Sequence, residues 1–459
     1  MNRNAMQQLL DWKDNPKRKP LILYGARQVG KTWLMKEFGR QYFKSVVYIN
    51  CDNNRNMQIL FEGDYNVDRL LRGFYLETGV EINPNETLII LDEIQEIYNY
   101  RRELEKKDPE LYFSTVDPIT LIKGLVEEAR FRYAMSGSLL GINLSGIAST
   151  PVGYLDSYTM YPMDFEEFLW ANGVGDEAIA YLKAKLEKME EIDETIHRSF
   201  LDFYRRYVLV GGMPEAVATY CEEKSITAVQ TVQKQILKGY RADIQKYAPV
   251  EQRLLIAETF DNIPNELNRK DKHFRKSTLN YPDAKNLDLA DAFLWLTNAG
   301  VALPVYNVSE PVYPLRLNEQ RKTLKLFSND IGLLCSQLLD KDGAIKIIEG
   351  DSSLNFGAPY ENVIAQELFA HFEAAPHYLN SKKCGEVDFL IQRKGEAAPI
   401  EIKSGAPNKD GLYAHKALDN VLDAYPSIKT AYVFSRGNVG KEGKKIVLLP
   451  FYMSMFLCA

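Results

Sequence analysis

The sequence predicts an α/β protein that begins with a parallel β-sheet and continues into helical and smaller α/β segments. Short apolar runs alternate with helical periodicity in the first part of the chain, and these runs are LILY at 21–24, VVYIN at 46–50, LIILDE at 88–93, RYAMSG at 132–137 and SYTMYPM at 157–163. Continuous apolar strands separated by helices are typical of a parallel sheet that is buried on both faces. From Asp176 onward, apolar side chains recur every three or four positions, which indicates long amphipathic helices.

Length and composition limit the class of protein. A chain of 459 residues exceeds one ordinary hydrophobic core, so we expect several domains. The net charge of −6 excludes a protein that coats nucleic acid through an overall positive charge, although a local basic patch is compatible with it. Scattered cysteines without a CxxC pair indicate reduced thiols rather than a zinc site. With no signal-peptide core and no apolar run of about 20 residues, we expect a cytoplasmic protein without a membrane partner.

The segment GARQVGKT matches the phosphate-loop pattern G-x-x-x-x-G-K-[ST] without a mismatch. An apolar strand precedes it and an amphipathic helix follows, which is the context that such a loop needs. We expect its backbone N–H groups to surround the phosphates of ATP, while the lysine adds charge and the threonine hydroxyl binds Mg²⁺. An accidental glycine-rich turn is the alternative. The predicted nucleotide-binding residues are Gly25, Ala26, Arg27, Gln28, Val29, Gly30, Lys31 and Thr32.

A second element, LIILDE, ends an apolar strand in two acidic residues about 60 positions after the phosphate loop. A buried strand that ends in carboxylates is unfavourable unless the charges emerge where water or a metal meets them. Asp92 is predicted to hold Mg²⁺, and Glu93 to orient or deprotonate the attacking water. The alternative is an ordinary strand that ends in an acidic loop.

A third strand ends in Ser-Gly-Ser at 136–138, where ATPases with a catalytic glutamate usually carry a polar residue that senses the γ-phosphate. Either Ser136 or Ser138 fits that role, and an ordinary Ser-Gly-Ser turn is the alternative. The sequence does not choose among the arginines that could act as arginine fingers, which are Arg27, Arg130, Arg132, Arg205 and Arg206.

Another acidic constellation lies near the C-terminus. Asp388 begins the strand VDFLIQ, and Glu401 and Lys403 share one face of the strand PIEIK because side chains alternate along a strand. A hairpin would bring Asp388 beside Glu401 and form a catalytic site with Lys403 that binds Mg²⁺ or Mn²⁺ through Asp388, Glu401 and the upstream helical Glu361. This D…E-x-K spacing is typical of the restriction-endonuclease-like fold. The alternative is an amphipathic hairpin whose charges face solvent.

The middle of the chain predicts a winged helix. The stretch DLADAFLWLTNAGVALPVYNV, followed by KTLKLFSNDIGLL, has the pattern of a helix and then a two-stranded wing. The adjoining segment 269–276 is basic and contains one phenylalanine. Contact with DNA phosphates is one interpretation, and a solvated loop is the other.

Together these motifs resemble a large bacterial and archaeal family of AAA-type ATPases that carry a C-terminal domain of unknown function. The likeness runs through nearly the whole chain and rests on GARQVGKT, LIILDEIQ, the SGS strand end, YPMDFEEFL, LVGGMPEAV, LKLFSNDIGLL, GAPYENVIAQEL and EVDFLI with PIEIKSG. It implies a RecA/AAA-like P-loop domain at 1–170, a helical segment at 171–245, a winged-helix domain at 246–340 and a nuclease-like domain at 341–459. Relatives usually have proline where this chain has Ala26, and the segment 97–126 is longer than usual.

Two functions remain open on this evidence. One is an ATP-dependent switch or motor that acts on DNA through the winged helix and the nuclease-like domain, with further copies of the chain as partners. The other is a nucleotide-gated regulatory or scaffold protein whose C-terminal domain only binds. A metabolic kinase is disfavoured, because Glu93 suits the activation of water and no domain for a small substrate is evident.

Overall fold

The computed structural model describes two compact units, each built around its own β-sheet. The N-terminal unit comprises Asn2–Tyr161 with Asn298–Gly300, and the C-terminal unit comprises Pro162–Thr297 with Val301–Ala459. The residues that the structure describes are 1–52, 54–61, 66–108, 124–125, 127–128, 130–137, 154–269, 274, 289–349, 357–372, 374–405 and 413–457. Ser138, most of the basic segment 269–276 and part of the long segment 97–126 lie outside them.

The N-terminal unit contains a five-stranded parallel sheet. Its strands are β1 (Leu21–Tyr24), β2 (Ser45–Asn50), β3 (Thr87–Asp92), β4 (Arg132–Ser136) and β5 (Asp156–Thr159). The helices around it are α1 (Ala5–Asp14), α2 (Lys31–Tyr42), α3 (Arg55–Phe61), α4 (Val67–Thr78) and α5 (Gln95–Lys107). All residues of β1 and β3 are buried, as continuous apolar runs in a sheet covered on both faces require. The predicted parallel sheet is confirmed.

Strand order brings the predicted nucleotide-binding motifs to one edge of this sheet. The order is β2-β3-β4-β1-β5, so that β4 lies between β1 and β3 and all neighbouring strands run parallel. Because parallel strands end at the same edge, the phosphate loop after β1, the acidic pair at the end of β3 and Ser136 at the end of β4 converge there.

The C-terminal unit begins with helices. These are α6 (Phe165–Ala171), α7 (Asp176–Lys188), α8 (Glu194–Val210), α9 (Pro214–Glu223), α10 (Ile226–Tyr247), α11 (Arg253–Leu267) and α12 (Leu289–Asn298). Helix α12 ends at Asn298, which is the first residue of the segment Asn298–Gly300 that groups with the N-terminal unit. The periodicity that begins near Asp176 therefore does mark helices, as the sequence predicted. Within the described residues, no helix is both long and apolar enough to cross a membrane.

The rest of the C-terminal unit forms an eight-stranded mixed sheet with further helices. The strands are β6 (Ala302–Val308), β7 (Glu319–Ser328), β8 (His377–Ser381), β9 (Gly385–Arg393), β10 (Glu396–Lys403), β11 (Ala431–Ser435), β12 (Gly440–Glu442) and β13 (Ile446–Pro450). The helices are α13 (Ile331–Leu338), α14 (Lys341–Ile348), α15 (Gly357–His371) and α16 (Lys416–Ala424). The sheet order is β12-β13-β11-β10-β9-β8-β6-β7.

This sheet corrects the prediction of a separate winged helix. Strands β6 and β7 do form the predicted antiparallel hairpin, but β6 also pairs in parallel with β8, with Tyr306 opposite His377. The hairpin is therefore one edge of the larger sheet and not an isolated wing. The physical reason is the apolar character of β6, because a largely buried strand gains from pairing along both of its edges. The predicted boundary at residue 340 consequently cuts across one continuous sheet.

Candidate functional site

The phosphate loop connects β1 to α2 and takes a conformation that its glycines make possible. Gly25 has φ +143° and Gly30 has φ +96°, both in the region that L side chains rarely adopt. A Cβ on Gly25 would lie 2.2 Å from the carbonyl oxygen of Met160, so that backbone can approach only a glycine here. Gly30 ends the loop as the N-cap of α2, which places the N–H groups of the first helical turn at the loop.

Lys31 is buried at the start of α2 and turns its ammonium group back over the loop. Its Nζ donates hydrogen bonds to the carbonyl oxygens of Gly25 at 2.9 Å and Ala26 at 2.8 Å. Burial lowers the pKa of Lys31, while the negative charges of Glu93 and Asp92 act in the opposite direction. The ammonium therefore lies where phosphate oxygens would meet it, between the loop and the two carboxylates.

Asp92 is the most heavily hydrogen-bonded carboxylate at this edge of the sheet. The Thr32 hydroxyl donates to Asp92 Oδ2 at 2.7 Å, the Tyr48 hydroxyl donates to the same oxygen at 2.9 Å, and the Ser136 hydroxyl donates to Oδ1. The carboxylate is 3% exposed, so these donors replace the water that a buried charge loses. The oxygens of Thr32 and Asp92 are hard ligands side by side, and their chemistry fits Mg²⁺.

Glu93 follows immediately in a tight turn with φ +55°, an uncommon conformation for a residue other than glycine. Its backbone N–H donates to the Ser136 hydroxyl at 3.1 Å, and the next N–H, that of Ile94, donates to the Ser136 carbonyl at 3.0 Å. The Glu93 carboxylate accepts a hydrogen bond from the side-chain amide of Gln95. Both the backbone and the side chain of the predicted base are thus held by neighbouring residues.

Ser136 lies beneath this turn rather than facing outward. It is fully buried, its hydroxyl proton goes to Asp92, and its oxygen accepts the Glu93 N–H. The Ser136 hydroxyl therefore links the Asp92 carboxylate to the backbone of the turn that carries Glu93. The role of Ser136 as a sensor of the γ-phosphate stays a prediction.

Three contributors to this site have no motif of their own. Arg3, at the start of the chain, donates from Nη1 to the Val29 carbonyl at 2.9 Å and so fixes the phosphate loop from outside. Tyr48 lies in β2, where an aromatic side chain ordinarily indicates burial. Gln95 opens α5, where a polar side chain ordinarily faces solvent. Only their positions in the folded chain reveal that they contact the loop or the carboxylates.

Gly300 is a fourth contributor, from a distant part of the sequence that groups with the N-terminal unit. It has φ +72°, and a Cβ there would lie 2.9 Å from the backbone nitrogen of Ala26 in the phosphate loop. The backbone of this segment therefore lies directly against the loop at Ala26.

Two of the candidate arginine fingers lie at the wrong edge of the sheet for their own phosphate loop. Arg132 begins β4 and donates to Asn85 Oδ1 at 2.9 Å, and Arg130, two residues earlier, pairs with Glu128. Both are at the amino end of the strand, whereas the phosphate loop lies at the carboxyl edge. Neither arginine can therefore reach the phosphates bound by the same chain.

The C-terminal constellation lies on two adjacent strands, as predicted. Strands β9 and β10 pair antiparallel with Phe389 opposite Ile400, which sets Asp388 opposite Glu401. Lys403 Nζ lies 2.7 Å from Glu401 Oε1, and Asp388 Oδ2 accepts the Ile402 N–H at 2.8 Å.

Glu401 has an unusual protonation equilibrium. Burial and the negative charge of Asp388 raise the pKa of Glu401 to about 7, although Lys403 opposes the shift; Glu361, on α15, adds a further increment. Its second oxygen, Oε2, is buried without a hydrogen-bond partner among the described residues. A carboxyl group whose pKa is raised in this way can exchange protons near neutral pH.

The predicted metal site at this position is not assembled. Among the residues that the structure describes, no group of three or more His, Cys, Asp or Glu side chains is arranged to hold a metal ion. The predicted ligands Glu361, Asp388 and Glu401 are near one another, but Asp388 bonds to the backbone of β10 and Glu401 turns to Lys403. Lys403 is the cation that contacts Glu401 here, and the binding of Mg²⁺ or Mn²⁺ by the three carboxylates stays a prediction.

We predict that Gly300→Ala weakens ATP binding about 10-fold or more, because the new Cβ would displace the Ala26 nitrogen and distort the phosphate loop. Isothermal calorimetry with ATP and Mg²⁺ measures the change. The matched control is Gly79→Ala, in the same unit, where φ is +67° and no atom lies within 4 Å of the added Cβ. Equal ATP affinity in Gly300→Ala and Gly79→Ala would contradict a contact between Gly300 and the loop.

Comparisons with known proteins agree with the N-terminal motifs. Residues 17–169 match the family model described as an AAA domain. Residues 201–343 and 356–453 match two domains of unknown function, DUF8612 and DUF4143. No curated protein matches the chain.

Similar solved structures are distant in sequence. A Walker-type ATPase of Pyrococcus abyssi has 14% identity over 74% of this chain and 96% of its own, with a TM-score of 0.41. Orc1 of Aeropyrum pernix in complex with DNA has 11% identity over 76% and 91%, with a TM-score of 0.27. AMPPCP-bound DnaA of Aquifex aeolicus has 15% identity over 59% and 74%, also with a TM-score of 0.27. At these scores the similarities support no conclusion about activity.

The family-model match and the geometry of the loop and the two carboxylates support the same assignment. The chain contains an AAA-type P-loop ATPase domain, which lies within residues 17–169.

Proposed function

We propose that this protein binds ATP with Mg²⁺, hydrolyses it, and uses the nucleotide state to control its C-terminal unit. The observation that carries the proposal is the convergence of Lys31, Thr32, Asp92 and Glu93 at one edge of the N-terminal sheet. A phosphate loop after one strand and an acidic pair at the end of another strand of the same parallel sheet supply the parts that phosphoryl transfer to water needs.

Each residue has a distinct task in this proposal. The Lys31 ammonium, now bonded to two loop carbonyls, exchanges them for γ-phosphate oxygens, which are stronger acceptors because they are charged. Thr32 and Asp92 hold Mg²⁺, which neutralises charge on the β- and γ-phosphates when it is bound. Glu93 orients a water molecule for attack on the γ-phosphate and accepts its proton.

We predict that Glu93→Gln lowers the rate of ATP hydrolysis about 100-fold with little change in ATP affinity, because only the base is lost. Steady-state hydrolysis measures the rate, and calorimetry measures the affinity.

We also predict that Lys31→Ala raises the dissociation constant for ATP about 10-fold or more, since it removes the positive charge from the phosphates. Calorimetry measures this change.

The control for charge removal is Lys44→Ala, because Lys44 is exposed and pairs with Glu86 away from the loop. Hydrolysis and binding that are unchanged in Lys31→Ala would contradict the proposal.

The second part of the proposal concerns the C-terminal unit, for which we propose DNA as the partner. The support is the restriction-endonuclease-like spacing of Asp388, Glu401 and Lys403 on paired strands and the readiness of Glu401 to exchange protons near neutral pH. Cleavage of nucleic acid is the second candidate activity, and a site that only binds is its alternative. We also propose that the chain assembles with further copies of itself.

We predict that, if the unit is a nuclease, Glu401→Gln abolishes cleavage while ATP hydrolysis continues. The assay compares plasmid, linear duplex, single-stranded DNA and RNA, each with Mg²⁺ or Mn²⁺ and with or without ATP. The matched control is Glu396→Gln, at the other end of β10, where the carboxylate pairs with the exposed Lys429. No cleavage of any substrate by the wild type, with hydrolysis intact, would favour the regulatory ATPase with a binding-only C-terminal unit.

A further inference from the structure

We infer that Gln95 is a positioning residue for ATP hydrolysis, which holds the carboxylate of Glu93 through a hydrogen bond from its side-chain amide. The inference rests on the proposed function, since it concerns the group that activates water. Gln95 is the first residue of α5 and is only 2% exposed, although it lies three residues after the end of β3, at the edge of the sheet that carries the phosphate loop. Its amide donates to Glu93 Oε2.

The orientation of the amide follows from the chemistry of its partner. An ionised carboxylate accepts hydrogen bonds and cannot donate, so the nitrogen of Gln95 must face Glu93. The amide oxygen, Oε1, then points elsewhere, and it is buried without a hydrogen-bond partner among the described residues. Leaving that oxygen unpaired is unfavourable, so apolar packing at the start of α5 does not explain why a glutamine is placed here.

Glu93 requires such support because its backbone alone does not fix its side chain. The turn at φ +55° is anchored by Ser136, but the carboxylate lies beyond three rotatable bonds. A hydrogen bond to Oε2 restricts these rotations and leaves Oε1 to face the attacking water.

Gln95 is an uncharged side chain among ionisable groups. Among the described residues, Glu93 interacts electrostatically with Lys31 on α2, Tyr48 on β2 and Cys51 just after β2. Lys31 is directed towards the phosphates, and Asp92 takes its own donors from Thr32, Tyr48 and Ser136. The donor for Glu93 comes from Gln95.

The test replaces Gln95 by methionine, which keeps the length of the side chain and removes the donor. For Gln95→Met we expect kcat for ATP hydrolysis to fall about 10- to 100-fold while ATP affinity stays within twofold. The loss should fall on kcat and not on ATP affinity, because Gln95 contacts the carboxylate that activates water and not the residues that bind the phosphates. A residue that merely packs α5 would instead lower the melting temperature and ATP affinity together with kcat.

Gln95→Glu serves as a second variant, because it keeps the size of the side chain and replaces the donor by a like charge beside Glu93. We expect a larger loss of kcat, because the added carboxylate repels that of Glu93 and displaces it. The surface control is Gln41→Met, which removes a similar hydrogen bond, from Gln41 to Glu37 at 2.5 Å on the exposed face of α2. It should leave kcat unchanged.

A double variant decides whether Gln95 acts through Glu93. Single-turnover hydrolysis by Glu93→Gln with Gln95→Met should equal that of Glu93→Gln, because there is no base left to position. An additive loss would overturn the inference, and so would a wild-type kcat in Gln95→Met. If the wild type binds ATP and does not hydrolyse it, the proposed function fails and this inference fails with it. If the wild type hydrolyses ATP and Gln95→Met hydrolyses it equally fast, this inference is overturned but the proposed function is not.

Discussion

The buried carboxylate of Asp92 is the constraint on which the nucleotide site depends. A charge that is 3% exposed must be stabilised by donors, and here Thr32, Tyr48 and Ser136 supply three hydroxyl groups. These residues belong to α2, β2 and β4, so satisfying one carboxylate fixes the helix after the phosphate loop against two strands. The turn that carries Glu93 begins at the next residue and takes its geometry from this arrangement.

Much of the N-terminal site could be predicted from sequence because its parts are short patterns with fixed chemistry. A glycine-rich loop before a helix and an acidic pair after an apolar strand each specify local structure, and a parallel sheet then brings strand ends together. Tyr48, Gln95 and Gly300 could not be predicted, because each acts through a neighbour that is distant in sequence or through a contact that side-chain type does not reveal. A glycine, a tyrosine in a strand and a glutamine at a helix start all have commoner explanations.

The C-terminal unit shows that local sequence pattern predicts strands but does not predict which strands pair or which side chains meet. The hairpin of β6 and β7 was predictable from its apolar runs, but its pairing with β8 was not, since local pattern does not reveal which strand lies on its other side. Alternation along β10 correctly placed Glu401 and Lys403 on one face, and the pairing with β9 set Asp388 opposite. The contact between Lys403 and Glu401 depends on side-chain rotamers, which residue spacing does not specify.

The measurement that tests the central claim most directly is ATP affinity with Mg²⁺ and with a chelator, in the wild type and in Asp92→Asn. If Asp92 organises the site for a magnesium-bound nucleotide, the wild type binds ATP about 10-fold or more tightly with Mg²⁺, because an ionised carboxylate binds Mg²⁺ far better than an amide does. The variant should then show the same weak affinity under both conditions. A wild-type dependence on Mg²⁺ that persists in Asp92→Asn would contradict the account.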